Sequence, residues 1–212
     1  MTLTRNLLRL AAGLAALALA GCITLLPETK PTQLYRFAIP VSETVEATPS
    51  GVRAVVIRAG GGFHPAAASD RILTTEGAEA AYLANARWTQ AASVLFDQAL
   101  IGAFAASRGP ARLVIAGEPG RPVFGLRVDV SRFEANYDSG ARAAPEIQVD
   151  IHVVVTRLKD QKVMQEQSFS IRQRAAENRG AAIASAFQAA VAEAIVTIVK
   201  TTDAGVSAAA AG

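Results

Sequence analysis

The chain has 212 residues, 21 of them Lys or Arg against 18 Asp or Glu, with two histidines and one cysteine. A single cysteine excludes an internal disulfide, so any exported domain must hold together through its core alone. The length fits one domain of ordinary size.

The N-terminus carries the first signal. "MTLTRNLLR" holds Arg5 and Arg9 and no acid, and the uncharged run "LAAGLAALALAG", Leu10 to Gly21, follows. A positive segment joined to a short apolar one ending in small residues is the anatomy of a secretory signal peptide. The run is too short to span a bilayer, which takes about 20 apolar residues. Removal of residues 1–21 takes Arg5 and Arg9 away and leaves 19 basic against 18 acidic residues in the remaining 191. That near-neutral body lacks the electrostatic footprint of a nucleic-acid binder.

Residues 22–33, with two prolines and alternating charges, read as an extended tether. Residues 34–200 are expected to form a single domain. Strands are expected at Leu34–Ile39, Gly51–Ala59, Arg71–Thr74 and Glu79–Ala84, with the glycine-rich "AGGGFH" as a flexible loop before the third. A helix is expected over Asn85–Ser107, with Trp88, Ala92, Leu95 and Ala99 at helical spacing, Asn85 as N-cap and Gly109-Pro110 as the stop.

After a short strand in "ARLVIAG", the run Val123–Ala135 alternates until Phe133 breaks the parity, which implies a bulge or twist. "EIQVDIHVVVTRL" and "KVMQEQSFSIRQ", joined by "KDQK", read as an antiparallel hairpin. A second helix is expected over Gly180–Lys200, with Ile183, Phe187, Val191, Ala194, Ile195 and Ile198 as its apolar stripe. Residues 201–212 are expected to be a disordered tail. The order strands, helix, strands, helix, with half-solvated strands, predicts an α+β fold: a mainly antiparallel sheet with two helices packed on one face.

The chemical inventory is thin. His64 and His152 stand in no metal-ligand spacing, so neither a metal nor a cofactor is expected. "AGGGFH" lacks the Gly-Lys-Ser/Thr of a phosphate-binding loop, and no Gly-x-Ser-x-Gly elbow is present. No catalytic residue is expected. Phe96, Leu100 and Phe104 widen the apolar face of the first helix, as a sheet-covering stripe or as a patch for a partner or an acyl chain.

"LAGC", Leu19 to Cys22, resembles the bacterial lipobox, in which the cysteine is acylated and becomes the new N-terminus. Such an anchor, including palmitate, gives stable membrane attachment because it carries more than one chain. Ile23, where an aspartate would favour retention in the inner membrane, points to the outer membrane.

Lipobox, tether, "LYRF", "SDRILT", "AYLANARWTQAASVLF" and "LRVDVSRFEA", in that order, resemble the ABC-type transport auxiliary lipoproteins. These include the paraquat-inducible protein C type, which accompanies Mce-family lipid transport systems. The resemblance implies a non-enzymatic lipoprotein facing the periplasm. Its implied partners are an Mce-domain protein and, through it, an inner-membrane permease and ATPase; a ring-forming homo-oligomer would suit such a partner. Tyr35, Arg71, Tyr82 and Trp88 match family positions, as structural or interface residues. Two other readings stand beside it: a lipid-binding shuttle module, and an envelope hydrolase using His152 or His64.

Overall fold

The computed structural model describes residues 31–37 and 53–210, so the expected signal peptide 1–21, Cys22 and most of the tether lie outside the described residues. All elements below belong to the unit Thr32–Gly212. They are β1 (Gln33–Tyr35), β2 (Ala54–Arg58), a short 3-10 turn (Pro65–Ala67), β3 (Arg71–Glu76), β4 (Glu79–Trp88), α1 (Ala92–Ala106), β5 (Ala111–Val114), β6 (Phe124–Asn136), β7 (Glu146–Arg157), β8 (Lys162–Arg174) and α2 (Gly180–Ala210).

The spine is β6. Its alternation places Phe124, Leu126, Val128 and Val130 in the core, and the register against β7 shifts between Val130 and Arg132. The extra residue turns Phe133 and Ala135 inward again. The break in parity is therefore a bulge. On one edge β6 pairs along its length with β7, which pairs with β8 across a turn where Gln161 has φ 57°.

The other edge of β6 is shared. Its start pairs with β2, which carries β5, and its end pairs with β3, which carries β4 and β1. Between them "AGGGFH" hugs the same strand rather than looping freely: Ala59 N–H donates to Leu126 O, Val130 N–H to Gly62 O, and His64 N–H to Val130 O. Gly61 has φ 127°, and a Cβ there would overlap Val128 O. Only glycine lets the backbone lie this close.

The sheet is mixed, which corrects the expectation of a mainly antiparallel one. Four pairings are parallel, β1–β4, β2–β5, β2–β6 and β3–β6, and three are antiparallel. The hairpins announce themselves through local alternation, whereas parallel partners are joined only by long crossovers.

The first helix also starts later than its spacing suggests. Asn85 is no N-cap but a left-handed residue, φ 54°, inside β4, where three extra residues interrupt the pairing with β3. Trp88 ends that strand, and α1 opens at Ala92, whose N–H donates to Ser69 O. The wide stripe of α1 faces the core: Phe96, Leu100 and Phe104 are all buried.

The second helix runs past Lys200. Its predicted stripe is buried, and so are Thr201, Thr202 and Val206 beyond it. The threonine hydroxyls donate to the carbonyls of Thr197 and Ile198 one turn back, which fits them into the helix interior. Gly205 lies so close to Val155 that a Cβ would sit 3.1 Å from its side chain. The expected disordered tail is thus helical through Ala210. By length and composition α2 could cross a membrane, but half of its apolar window is buried in the fold, as in the core helix of a soluble domain.

An aromatic cluster joins the layers. Trp88 stacks edge-on to Phe187 at 5.3 Å, Phe133 lies 4.9 Å from Phe187, and Phe37 lies 4.8 Å from Trp88. Phe63 bridges Phe133 to Phe96 of α1. One cluster therefore ties β1's exit, the glycine segment, both helices, β4 and β6 together. Such pairs add about 0.5–1.5 kcal/mol each beyond burial.

Candidate functional site

Tyr35, Arg71, Tyr82 and Trp88, the positions to which the sequence resemblance points, lie in the β1–β3–β4 wing. Tyr35 and Trp88 are register partners across β1 and β4. Arg71 lies with its guanidinium carbon 3.7 Å above the Tyr82 ring, a cation–π contact, and the Tyr82 hydroxyl donates to Ala66 O at 3.1 Å. These contacts fix β3, β4 and the 3-10 turn, and beside them Arg87, the register partner of Arg71, is ion-paired to Asp70 at 2.9 Å. Cys22 lies outside the described residues.

The histidines are apart in role. His64 opens the 3-10 turn before Pro65, and its Nδ1 is buried with no hydrogen-bond partner among the described residues. His152 stands on the open face of the sheet, in register with Asp129 on β6 and Ser168 on β8. This row has the composition of a Ser-His-Asp triad but not its geometry. His152 Nε2 is 2.9 Å from Glu166 Oε1, and Nδ1 is 3.9 Å from Asp129 Oδ2. No bond links the imidazole to the serine, and an activated nucleophile needs that bond.

The open face of β6–β8 is laced with ion pairs. Arg127 holds Asp129 at 2.7 Å, Arg172 holds Asp150 at 2.7 Å, Arg132 reaches Asp150 at 3.5 Å, and Arg174 clasps Asp138 and Glu146. The Arg127 bond keeps the Asp129 carboxyl below its ordinary value, and Arg174 does the same for Asp138. Burial pushes Asp150 upward, yet bonds from Arg172 and Ser170 leave it below the usual value. Opposite charges facing across neighbouring strands give a surface patterned in charge but nearly neutral. Among the described residues no group of three or more His, Cys, Asp or Glu could hold a metal ion.

A concavity lies at the pole where α2 ends. It is an open groove of about 810 Å³. Pro110, Pro122, Val123, Phe124, Leu158 and Val206 form its apolar lining, with Arg157, Lys159 and Ser207 as its polar members. Sequence reasoning missed it because it is assembled from five separate segments. The nearest hint was the apolar "PVF" at 122–124 beside a turn rich in charge.

Beside the groove, Asp203 of α2 accepts the Ala111 N–H at 3.0 Å. Burial raises the pKa of this carboxyl, against the pull of the Ala111 bond and of nearby Arg53. Arg53 in turn donates to the carbonyls of Gly109, Phe104 and Ala111. The pair locks the end of α2 to β2 and β5.

The described residues thus present a charge-patterned sheet face and an apolar groove, and His152 is bonded to a glutamate rather than to a nucleophile. Solved structures share the fold. A Xanthomonas campestris protein of the DUF330 family superposes with TM-score 0.72 at 20% identity, covering 85% of this chain and 100% of that one. A second protein, of uncharacterized role, gives TM-score 0.59 at 12% identity over 81% of this chain and 98% of its own. No curated protein matches the chain. The family model for the ABC-type transport auxiliary lipoprotein component matches residues 63–199, and the chain belongs to that family.

Proposed function

We propose that the chain is the lipid-anchored, non-catalytic auxiliary component of an Mce-type ABC transport system for phospholipids, docking the Mce protein at the outer membrane of a Gram-negative envelope. The observation that carries this reading is the family match over residues 63–199. The lipobox ending in Cys22 supports attachment at a membrane surface, and Ile23 favours the outer one. The sequence has no Walker motif, so ATP is used by a partner. The open β6–β8 face supplies charge-patterned surface of the kind that gives protein contacts their register.

Affinity purification of the chain from cells with its neighbouring genes intact tests this. Recovery of an Mce-domain protein is the expected result. Its absence, with the lipoprotein abundant and membrane-bound, would overturn the reading.

A second reading, that the domain itself binds lipid, is favoured by the groove at the α2 pole.

A further inference from the structure

We propose that this groove holds an acyl chain of an anionic phospholipid, with Lys159 at its rim facing the phosphate. This deepens the second reading above, and it does not depend on which protein partner the chain has.

The lining decides the occupant's chemistry. Pro110, Pro122, Val123, Phe124, Leu158 and Val206 offer hydrocarbon, and a volume of about 810 Å³ is that of a small-molecule site. Val123 is 47% exposed, a large apolar side chain left facing water at the mouth. The backbone groups around the groove are already paired: Ala54 N–H with Pro110 O, Val123 N–H with Val55 O, Leu158 N–H with Val123 O, and Ala111 N–H with the Asp203 carboxylate. A peptide laid here would bring its own N–H and C=O groups and find few partners for them. An acyl chain brings none.

Charge selects the headgroup. The two cations of the groove lie together where β7 turns toward β8. Arg157 is held by Asp160 through two bonds of 3.0 and 2.7 Å, whereas Lys159 has no ion-pair partner among the described residues. The last carbonyls of α2 approach the same pole and carry partial negative charge, which repels an anion on that side. The phosphate is therefore placed on the β7–β8 side, beside Lys159, with the chain running toward Val206. As a compact, mobile ammonium, lysine suits a phosphate met in varied poses.

The test uses the full-length acylated chain in phosphatidylcholine vesicles. Photoactivatable phosphatidylglycerol or phosphatidylcholine, each with the reactive group on an acyl chain, is added at low mole fraction, and adducts are mapped by mass spectrometry. A parallel arm places a photoreactive phenylalanine analogue at position 123 in cells and reads the mass of what it captures. The expected result is adducts concentrated on peptides containing 122–124, 157–159 and 206–209. Val123→Asp should lower them about tenfold or more, since an unpaired carboxylate in an apolar groove is strongly disfavoured. Val196→Asp, at an exposed helix position away from the groove, should leave them unchanged. Lys159→Glu should abolish the excess of phosphatidylglycerol over phosphatidylcholine while phosphatidylcholine adducts persist.

Adducts spread over the surface and indifferent to Val123→Asp would overturn the proposal. So would capture of a second copy of the chain, or of another protein, from position 123. Equal capture of both lipids, unaffected by Lys159→Glu, would overturn the assignment of the headgroup. A failed co-purification with an Mce protein would leave all of these readouts intact.

Discussion

The Asp203 carboxylate accepts the backbone N–H of Ala111, a fully buried residue at the start of β5, across 92 positions of sequence. This one bond closes the final turns of α2 onto the strand edge. Replacing Asp203 with Ala removes the acceptor and is expected to cost about 1–3 kcal/mol, the penalty for stranding a buried donor, read in urea unfolding.

The same carboxyl makes a prediction about pH. Burial raises its pKa in the folded protein, so the folded state holds the proton more tightly than the unfolded chain. Between the ordinary value of 3.8 and the raised one, this group's contribution to stability falls as pH rises, and its penalty is complete above the folded pKa. Asp203→Asn keeps an oxygen acceptor and removes that titration. Subtracting the wild-type melting curve from the variant's should give a difference that grows in the variant's favour from strongly acid to neutral pH. A difference that is flat or of opposite sign would contradict the assignment.

The Asp129, Asp138, Asp150 and Asp160 carboxyls work the other way. Asp160, bonded by Arg157, is lowered to about 2, and the others are lowered through arginine bonds or, for Asp150, in spite of burial. Their contribution is present above 3.8 and is lost as pH falls through the folded values. Each pair is solvent-facing and screened by water, so replacing Arg127 with Ala should leave the denaturation midpoint almost unchanged. Carboxyl NMR titration should nevertheless show Asp129 moving up toward its ordinary value.

Glycines 60 and 61 separate two effects of a side chain. At Gly60, φ 87°, a Cβ meets open space; at Gly61 it meets Val128 O. Gly60→Ala should cost about 1–2 kcal/mol for backbone strain alone. Gly61→Ala should cost clearly more, because the segment must also lift off β6 and give up the Val130–Gly62 bond. Equal losses in chemical denaturation would show that the close approach is unimportant.

The row Asp129–His152–Ser168 yields the last prediction. With Nε2 held by Glu166 rather than by the serine, the double change His64→Ala and His152→Ala should complement a deletion strain fully in an envelope-permeability assay. Loss of complementation with normal protein levels would restore the hydrolase reading.

Much of the central sheet was legible. The alternation of β7 and the turn "KDQK" predicted the β7–β8 hairpin, and the misplaced Phe133 predicted the bulge between Val130 and Arg132. The stripe from Ile183 to Ile198 located the start and the buried face of α2, because each of its residues is buried in the core. What sequence alone obscured depends on distant partners. Alanine-rich "LANA" favours helix locally, but Trp88 N–H donates to Asp70 O and Tyr35 pairs alongside, which holds the stretch in β4. "TTDAGVSAAA" lacks the apolar stripe that marks the first turns of α2. It stays helical because Gly205 fits against Val155 and Asp203 bonds Ala111. Parallel pairs and the groove share that origin: Ala54, Pro110, Val123, Leu158 and Val206 meet only after the whole chain has returned to one pole.

Helix α2 also sets a length. Its first residue, Gly180, rests against Tyr35, and Val206 lines the groove 26 residues later, about 40 Å away at 1.5 Å per residue. The helix is therefore a spacer as well as a cover for the sheet: whatever touches the domain beside Tyr35 and whatever enters the groove are held about 40 Å apart by one unbroken element.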